Sequence, residues 1–284
     1  MSLGPGTVVP APPATPPTIS LLTAAGGGTE EADLRWENGI GFAPEGCGSG
    51  QVVSTCAGTT KTVPENAAIE EWVPYGLVAA DRCSAFGWQS HDYVARATRK
   101  LLACESKMLA GELWTALVET ANADYAFINA AELITAVWSP TAAIAQLEQA
   151  SGGTCGCGGR KMIHMRPRIF ERILATAPSM LRREGNRWLT GMDSIIVPDY
   201  GYPGTGPGAA AATVLAVNAA TEFIYITNPV DVRHGPVDPF PGTLGEAMDR
   251  ATNTVTYYAE RIGVASYDVC CAYAIEVNPT LTVA

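Results

Sequence analysis

Residues Ala251–Val277 read ATNTVTYYAERIGVASYDVCCAYAIEV, two strand-like runs split by a turn around Ala265 to Asp268. In the second run Val269, Cys271, Tyr273, Ile275 and Val277 fall on one side, and Asp268, Cys270, Ala272, Ala274 and Glu276 on the other. Strict period two predicts a strand with one face packed on a core. The first run puts Tyr258, Ile262 and Val264 on one side, shared with Glu260. The block holds no constellation suited to catalysis, and we read it as a structural hairpin that closes the chain.

Outward from that block, composition narrows the class. The 284 residues are 47% hydrophobic and only 16% charged, where a soluble domain carries about 25% charged residues. Either the surface is rich in Gly, Ser and Thr, or partners cover much of it. Net charge is −10, and the four lysines are Lys61, Lys100, Lys107 and Lys161. The nearest approach to a basic stripe is Arg166, Arg168, Arg172, Arg182, Arg183 and Arg187, which reads as a solvated helix face plus a loop, not a phosphate grip. No run of about 18 apolar residues predicts a membrane span. The N-terminal MSLGPGTVVPAPPATPP lacks a basic start and an apolar core, so it is not a secretory signal. The eight cysteines are therefore expected as thiols. Cys270 and Cys271, on opposite strand faces, are not expected to pair with each other.

Residues 1–28 carry no charge and are rich in Pro, Gly, Ala and Thr. Such a segment cannot offset its own ordering entropy, and a neighbouring subunit is its simplest holder. Extended runs follow: Trp36, Ile40 and Phe42, a turn at Pro44–Gly50, then Gln51–Cys56 and Ile69–Val78, together a long hairpin-like excursion with Pro74 at an edge. Ser90–Val118 is the strongest predicted helix, with Val94, Ala97, Leu101, Cys104 and Met108 on its apolar stripe, Leu102, Leu109 and Leu113 widening it, and Ser90 as N-cap. It would span ~40 Å. Further helices are expected from Ser139-Pro140 to Gly152, over Arg168–Ala177, and from the Thr243/Glu246 capping box to about Arg250. Strands are expected at Lys161–Met165, Trp188–Leu189, Ile195–Val197, Phe223–Thr227 and Val230–Arg233. Helices and strands mix without a βαβ rhythm, so the class is α+β.

Each candidate for chemistry also has a plainer role. Gly204, Gly206 and Gly208 superficially suggest a phosphate loop, but no capped helix follows, so a flexible surface loop is expected. Cys155 and Cys157, even with Cys47, Cys56 and His164, lack the second tight pair that zinc requires. His91, His164 and His234 sit in no nucleophile or triad motif. Glu105, Glu112 and Glu119, a heptad apart, read as a solvated or subunit-facing stripe. No catalytic, cofactor-binding or metal residue is assigned.

The order of parts resembles the major capsid protein of tailed bacteriophages with the Hong Kong 97-like fold. The sharpest match is Asn253–Val277: an Asn, a strand ending in Glu260-Arg261, a short apolar turn, and a strand carrying Ala274-Ile275. The stretches RWENGIGF, ADRCSAFGW, ESKMLAGELWT, DYGYPGTGP and LGEAMDRATNTVTYYAER are similar to structural proteins of phages infecting actinobacteria. The resemblance implies an N-arm at 1–33, an E-loop at 34–80, a P-domain at 81–122 and 246–284 with its spine helix at about 90–118, and an A-domain at 123–245. It implies hexamers and pentamers closing an icosahedral head around double-stranded DNA, assembled in the host bacterial cytoplasm. Partners would be the chain itself, scaffolding, portal and decoration proteins, and DNA through non-specific inner-surface contact, with no membrane, cofactor or enzymatic role. The family's covalent cross-link does not carry over, because Lys61 has no assignable partner. The rival readings are a tail-tube or connector subunit, an encapsulin-like compartment shell, and a hydrolase using His164 with Glu171.

Overall fold

The computed structural model describes residues 13–31, 34–42, 69–84, 92–154, 160–216 and 218–281. Along the chain run α1 (Leu21–Ala24), β1 (Thr29–Glu30), β2 (Ile40–Phe42), β3 (Glu70–Trp72), β4 (Tyr75–Ser84) and α2 (Tyr93–Thr115). Then come α3 (Phe127–Ala130), β5 (Glu132–Trp138), α4 (Pro140–Thr154), β6 (Met162–Met165), α5 (Pro167–Thr176), β7 (Leu181–Glu184), β8 (Arg187–Thr190) and β9 (Ile195–Pro198). The chain closes with β10 (Glu222–Thr227), β11 (Asp231–His234), β12 (Asp238–Phe240), α6 (Leu244–Ala247), β13 (Met248–Asp249), β14 (Thr254–Ser266) and β15 (Tyr273–Val277). Two compact units result: one centres on Gly76–Glu105 and Pro236–Arg261, the other gathers Thr18–Tyr75, Ser106–Gly235 and Ile262–Ala284.

In the first unit, β4, β12 and β13 all pair with β14, the last two antiparallel to it. The opening turns of α2 bury Tyr93, Ala97 and Leu101. Asp81, 1% exposed on β4, receives Arg96 Nε at 3.1 Å and the Lys100 ammonium. Arg261 on β14 donates from Nη1 to both Glu105 oxygens, at 2.9 and 3.0 Å. A buried charged carboxylate is costly unless it is paired or hydrogen-bonded.

The second unit is built on a seven-stranded sheet ordered β5-β15-β10-β6-β9-β8-β7. Alternation divides its faces. Ile163, Met165, Ile196, Ile224, Ile226, Tyr273, Ile275 and Val277 join Ile144 and Leu147 of α4 and Ile169, Phe170 and Ile173 of α5 in one core. The opposite face carries His164 and Tyr225 under an aromatic layer: Trp114 lies 4.6 Å from the Tyr225 ring, and Phe127 4.6 Å from His164. The β2–β3 pair, with Ile40 opposite Trp72, forms the root of the expected excursion, whose tip at 43–68 lies outside the described residues.

Several expectations need correction. The closing block is not a hairpin: β14 belongs to one sheet, while β15 pairs antiparallel with β10 and parallel with β5 in the other. Tyr267–Ala272 is the connector, and Cys271 takes φ +73°, incompatible with the predicted strand. Period two at Tyr273–Val277 holds, although Ala274 on the opposite face is buried too. In β14 Val255, Ala259 and Arg261 are buried on one side; of the predicted side Val264 is buried, while Tyr258 and Glu260 are exposed. The long helix spans 23 residues, or ~34 Å. It starts behind Asp92, which accepts the Ala95 N–H at 3.0 Å; Ser90 lies outside the described residues. It stops at Thr115 because Ala116 turns to φ +46°. Its stripe is rotated from the expected one: Cys104 is exposed, whereas Glu105, Ser106 and Glu112 are buried. The arm needs no neighbour from Ser20 onward. Asp199 Oδ2 accepts the Leu21 N–H at 3.0 Å and the Ser106 hydroxyl at 2.7 Å, and Ser106 Oγ accepts the Leu22 N–H at 3.0 Å.

Gly111, inside α2, has a packing role. Its would-be Cβ lies 3.4 Å from the Gly201 carbonyl, and a Cβ on Gly201 would sit 2.1 Å from the Lys107 carbonyl oxygen. Gly201→Ala is therefore expected to cost about 3 kcal/mol of unfolding free energy through overpacking. Gly152→Ala, in α4 with nothing within 4 Å, should gain about 0.5 kcal/mol. Chemical-denaturation midpoints of the two variants check the contrast.

Candidate functional site

His164 is the candidate with most at stake, and the structure assigns it to the core. It is fully buried on β6. Its Nδ1 lies 2.8 Å from the Tyr202 hydroxyl and its Nε2 2.8 Å from Thr227 Oγ1. Thr227 donates its own proton to the Asn228 carbonyl at 2.7 Å. It must therefore accept from Nε2–H, leaving Nδ1 to accept from Tyr202. Burial holds the imidazole pKa down at about 3 and the Tyr202 phenol pKa well above 10. Glu171 is exposed on α5, and both ring nitrogens of His164 are committed elsewhere, so the proposed acid–base pair does not form.

The acidic row is not a solvated stripe. Glu105 is bound by Arg261, and Glu112 folds back at the helix end. Glu112 accepts the Val118 N–H on both oxygens (2.9 and 3.1 Å) and the Glu119 N–H on Oε1 (2.5 Å). Glu119 caps Ala121 N–H at 3.1 Å. Two of the arginines also depart from expectation. Arg166 and Arg168 grip Glu222, which is 0% exposed and whose carboxyl pKa is raised by burial despite both cations. They donate as well to the carbonyls of Leu215, Ala216 and Ala219, fastening the loop before β10. Arg182 pairs with Asp193 on the surface.

The glycine loop is packed at its start. Tyr202 to Gly206 are buried, a Cβ on Gly206 would meet the Phe223 ring at 2.5 Å, and the Thr205 carbonyl accepts from Trp114 Nε1 (3.2 Å) and the Tyr225 hydroxyl (2.9 Å). Its glycines serve close packing rather than phosphate binding. Cys270 and Cys271 are disulfide-bonded, correcting the expectation of thiols throughout, while Cys104 is a free exposed thiol. Among the described residues no group of three or more His, Cys, Asp or Glu side chains could hold a metal. Cys47, Cys56, Lys61, His91, Cys155 and Cys157 lie outside the described residues.

With the described chemical candidates absorbed into packing, the second unit's surface stands out. The Glu112-braced turn presents Leu117 (52% exposed) and Val118 (75%) to solvent. The two sheet edges differ in kind. The β7 edge exposes Arg182, Arg183 and Glu184, a charged guard of the sort that discourages strand addition. The β5 edge exposes Leu133 and Val137, with Ala136 at φ +128° and a register shift opposite Ile275/Glu276. Sequence reasoning assigned no element here, although Leu133, Ile134 and Val137 supplied a strand signal.

The chain aligns over 98% of its length with a chain from Mycobacterium phage Ogopogo (13% identity, 96% of that chain, TM-score 0.54). It aligns equally far with one from Mycobacterium phage Bobi (9% identity, 95% of that chain, TM-score 0.54). It also matches the capsid of an empty GTA particle over 97% of its length (14% identity, 94% of that chain, TM-score 0.50). The chain has the Hong Kong 97-like fold. No protein-family model matches the sequence, and no curated protein matches it either. The Hong Kong 97-like architecture is thus reached here with only 9–14% of residues in common with these structures.

Two measurements test the buried polar groups. Because His164 resists a proton that the unfolded chain accepts below 6.5, its contribution to stability is complete above pH 6.5 and is lost as pH falls toward 3. His164→Gln should flatten the fall in denaturation midpoint between pH 6.5 and 4. Glu105→Gln, breaking a buried ion pair, should cost about 3 kcal/mol at pH 7.

Proposed function

We propose that the protein is a major capsid protein, self-assembling as hexamers and pentamers into an icosahedral phage head that encloses double-stranded DNA. The carrying observation is the Hong Kong 97-like fold over 97% of the chain, matched in the capsid of a GTA particle. Three features of the chain support it. Charged residues are 16% of the sequence, fewer than a free-standing surface needs. The β5 edge and the Leu117-Val118 turn leave apolar groups in water. His164, the best prospect for catalysis, is locked in the core, which supports a structural role.

In this reading residues 1–33 are the N-arm, 34–80 the E-loop, 81–122 with 246–284 the P-domain, and 123–245 the A-domain. Assembly takes place in the bacterial cytoplasm, and the product is part of the virion. Scaffolding, portal and decoration proteins are the expected partners, with DNA touching the inner surface without sequence preference. The net charge of −10 suits a wall that must not bind its genome tightly. No described helix is long and apolar enough to cross a membrane.

Electron microscopy of the purified protein, co-expressed with its neighbouring virion genes, tests the reading. Closed icosahedral particles are expected; tubes or rings would move the protein to a tail tube or connector. Val118→Arg and Val137→Arg should keep the circular dichroism of the parent yet reduce particle yield at least about tenfold, equivalent to ~1.4 kcal/mol per subunit contact.

A further inference from the structure

The β2–β3 root contains a carboxyl group that the capsid reading leaves unused. Glu70, on β3, is 6% exposed. It accepts a hydrogen bond from the Val269 backbone N–H in the Tyr267–Ala272 turn and a weaker approach from the Trp72 indole N–H, while its Oε2 makes no full hydrogen bond. Asp268 of the same turn acts on it as a like charge. Around this contact Trp72 packs 5.5 Å from the Tyr267 ring and 5.1 Å from Tyr125, and the Tyr267 hydroxyl donates to the Tyr125 carbonyl at 2.9 Å. The turn is held from beneath by Asn228, whose Nδ2 donates to the carbonyls of Asp268 (3.1 Å) and Cys270 (2.8 Å).

We propose that Glu70 is a proton-operated latch, fastening β3 to the Tyr267–Ala272 turn when protonated and loosening it when ionised. The geometry supplies each part. One oxygen holds the turn backbone. The other makes no full hydrogen bond; the Trp72 indole N–H eases a charge on the carboxylate only weakly against its burial, whereas a proton removes the conflict with Asp268. The titratable groups that act on the pair are Asp268 and Tyr267 from the turn, with Lys161 coupled to Asp268. Burial, aided by Asp268, raises the Glu70 pKa to about 7, so the latch operates near neutrality.

The sign follows from linkage. A carboxyl whose folded pKa is raised contributes fully below its ordinary value of 4.5, and that contribution is lost as pH rises through about 7. If opening restores the ordinary value, the closed-to-open ratio falls about tenfold between pH 6 and pH 8. On the capsid reading, this latch governs how firmly the root of the E-loop is seated in the subunit.

Hydrogen exchange read by mass spectrometry on the full-length unassembled protein, corrected for intrinsic exchange rates, tests the latch. Peptides covering residues 69–75 and 265–272 should lose protection about tenfold from pH 6 to pH 8. Glu70→Gln, which keeps the shape and cannot ionise, should abolish the step and retain protection at pH 8. Asp268→Asn should move the step to lower pH. A flat wild-type profile overturns the proposal, as does an unchanged step in Glu70→Gln. The readout needs no particles, so the latch and the capsid reading can fail separately.

Discussion

The fold depends on polar groups being buried along α2 and each being satisfied. A helix face carrying Glu105, Ser106 and Glu112 would ordinarily turn to water. Here Glu105 meets Arg261, Ser106 meets Asp199 and the backbone of α1, and Glu112 takes the N–H groups that follow the helix end. Leaving any of these unpaired costs more than pairing returns, so they select one arrangement of chain among many apolar alternatives. The Asp199–Ser106–Leu21 knot also explains how the start of a segment emerging from a charge-free Pro/Gly stretch is pinned.

The second unit shows the same division of labour at the level of the sheet. Its centre is insulated on both faces, by α4 and α5 on one side and by the Trp114–Phe127–Tyr225 layer on the other. Its rims are treated unequally. The β7 edge exposes charged side chains, while the β5 edge exposes the apolar Leu133 and Val137. Contacts between unlike surfaces of identical subunits propagate into rings and shells. On the proposed capsid reading, one guarded and one unguarded edge suit that geometry.

The elements that sequence reading placed well are those whose signal is local. The existence of α2, Pro at the start of α4, and the period-two run at Tyr273–Val277 each follow from periodicity or cap chemistry. Its errors cluster where a remote residue decides the outcome. Nothing near Glu105 in sequence announces Arg261, so a carboxylate row looked solvated. Nothing near Asp268 announces that the next strand joins a different sheet. The Gly201–Gly206 segment resembled a free loop because the Lys107 carbonyl and the Phe223 ring that press on it come from elsewhere in the chain. His164 carried no local mark of its environment; Tyr202 and Thr227 arrive from β-strand neighbourhoods 38 and 63 residues away.

By itself, then, the amino-acid order settled the mixed helix-and-strand class, the existence of one long helix, the scarcity of charge and the absence of any local catalytic motif. These depend on composition and on side-chain spacing within a few turns. The partners of the buried acids, the assignment of β14 and β15 to separate sheets, the neutral locked imidazole and the bare β5 edge were decided only by tertiary structure. Each depends on which distant segment arrives alongside, and desolvation gives a side chain its meaning only after that neighbour is in place.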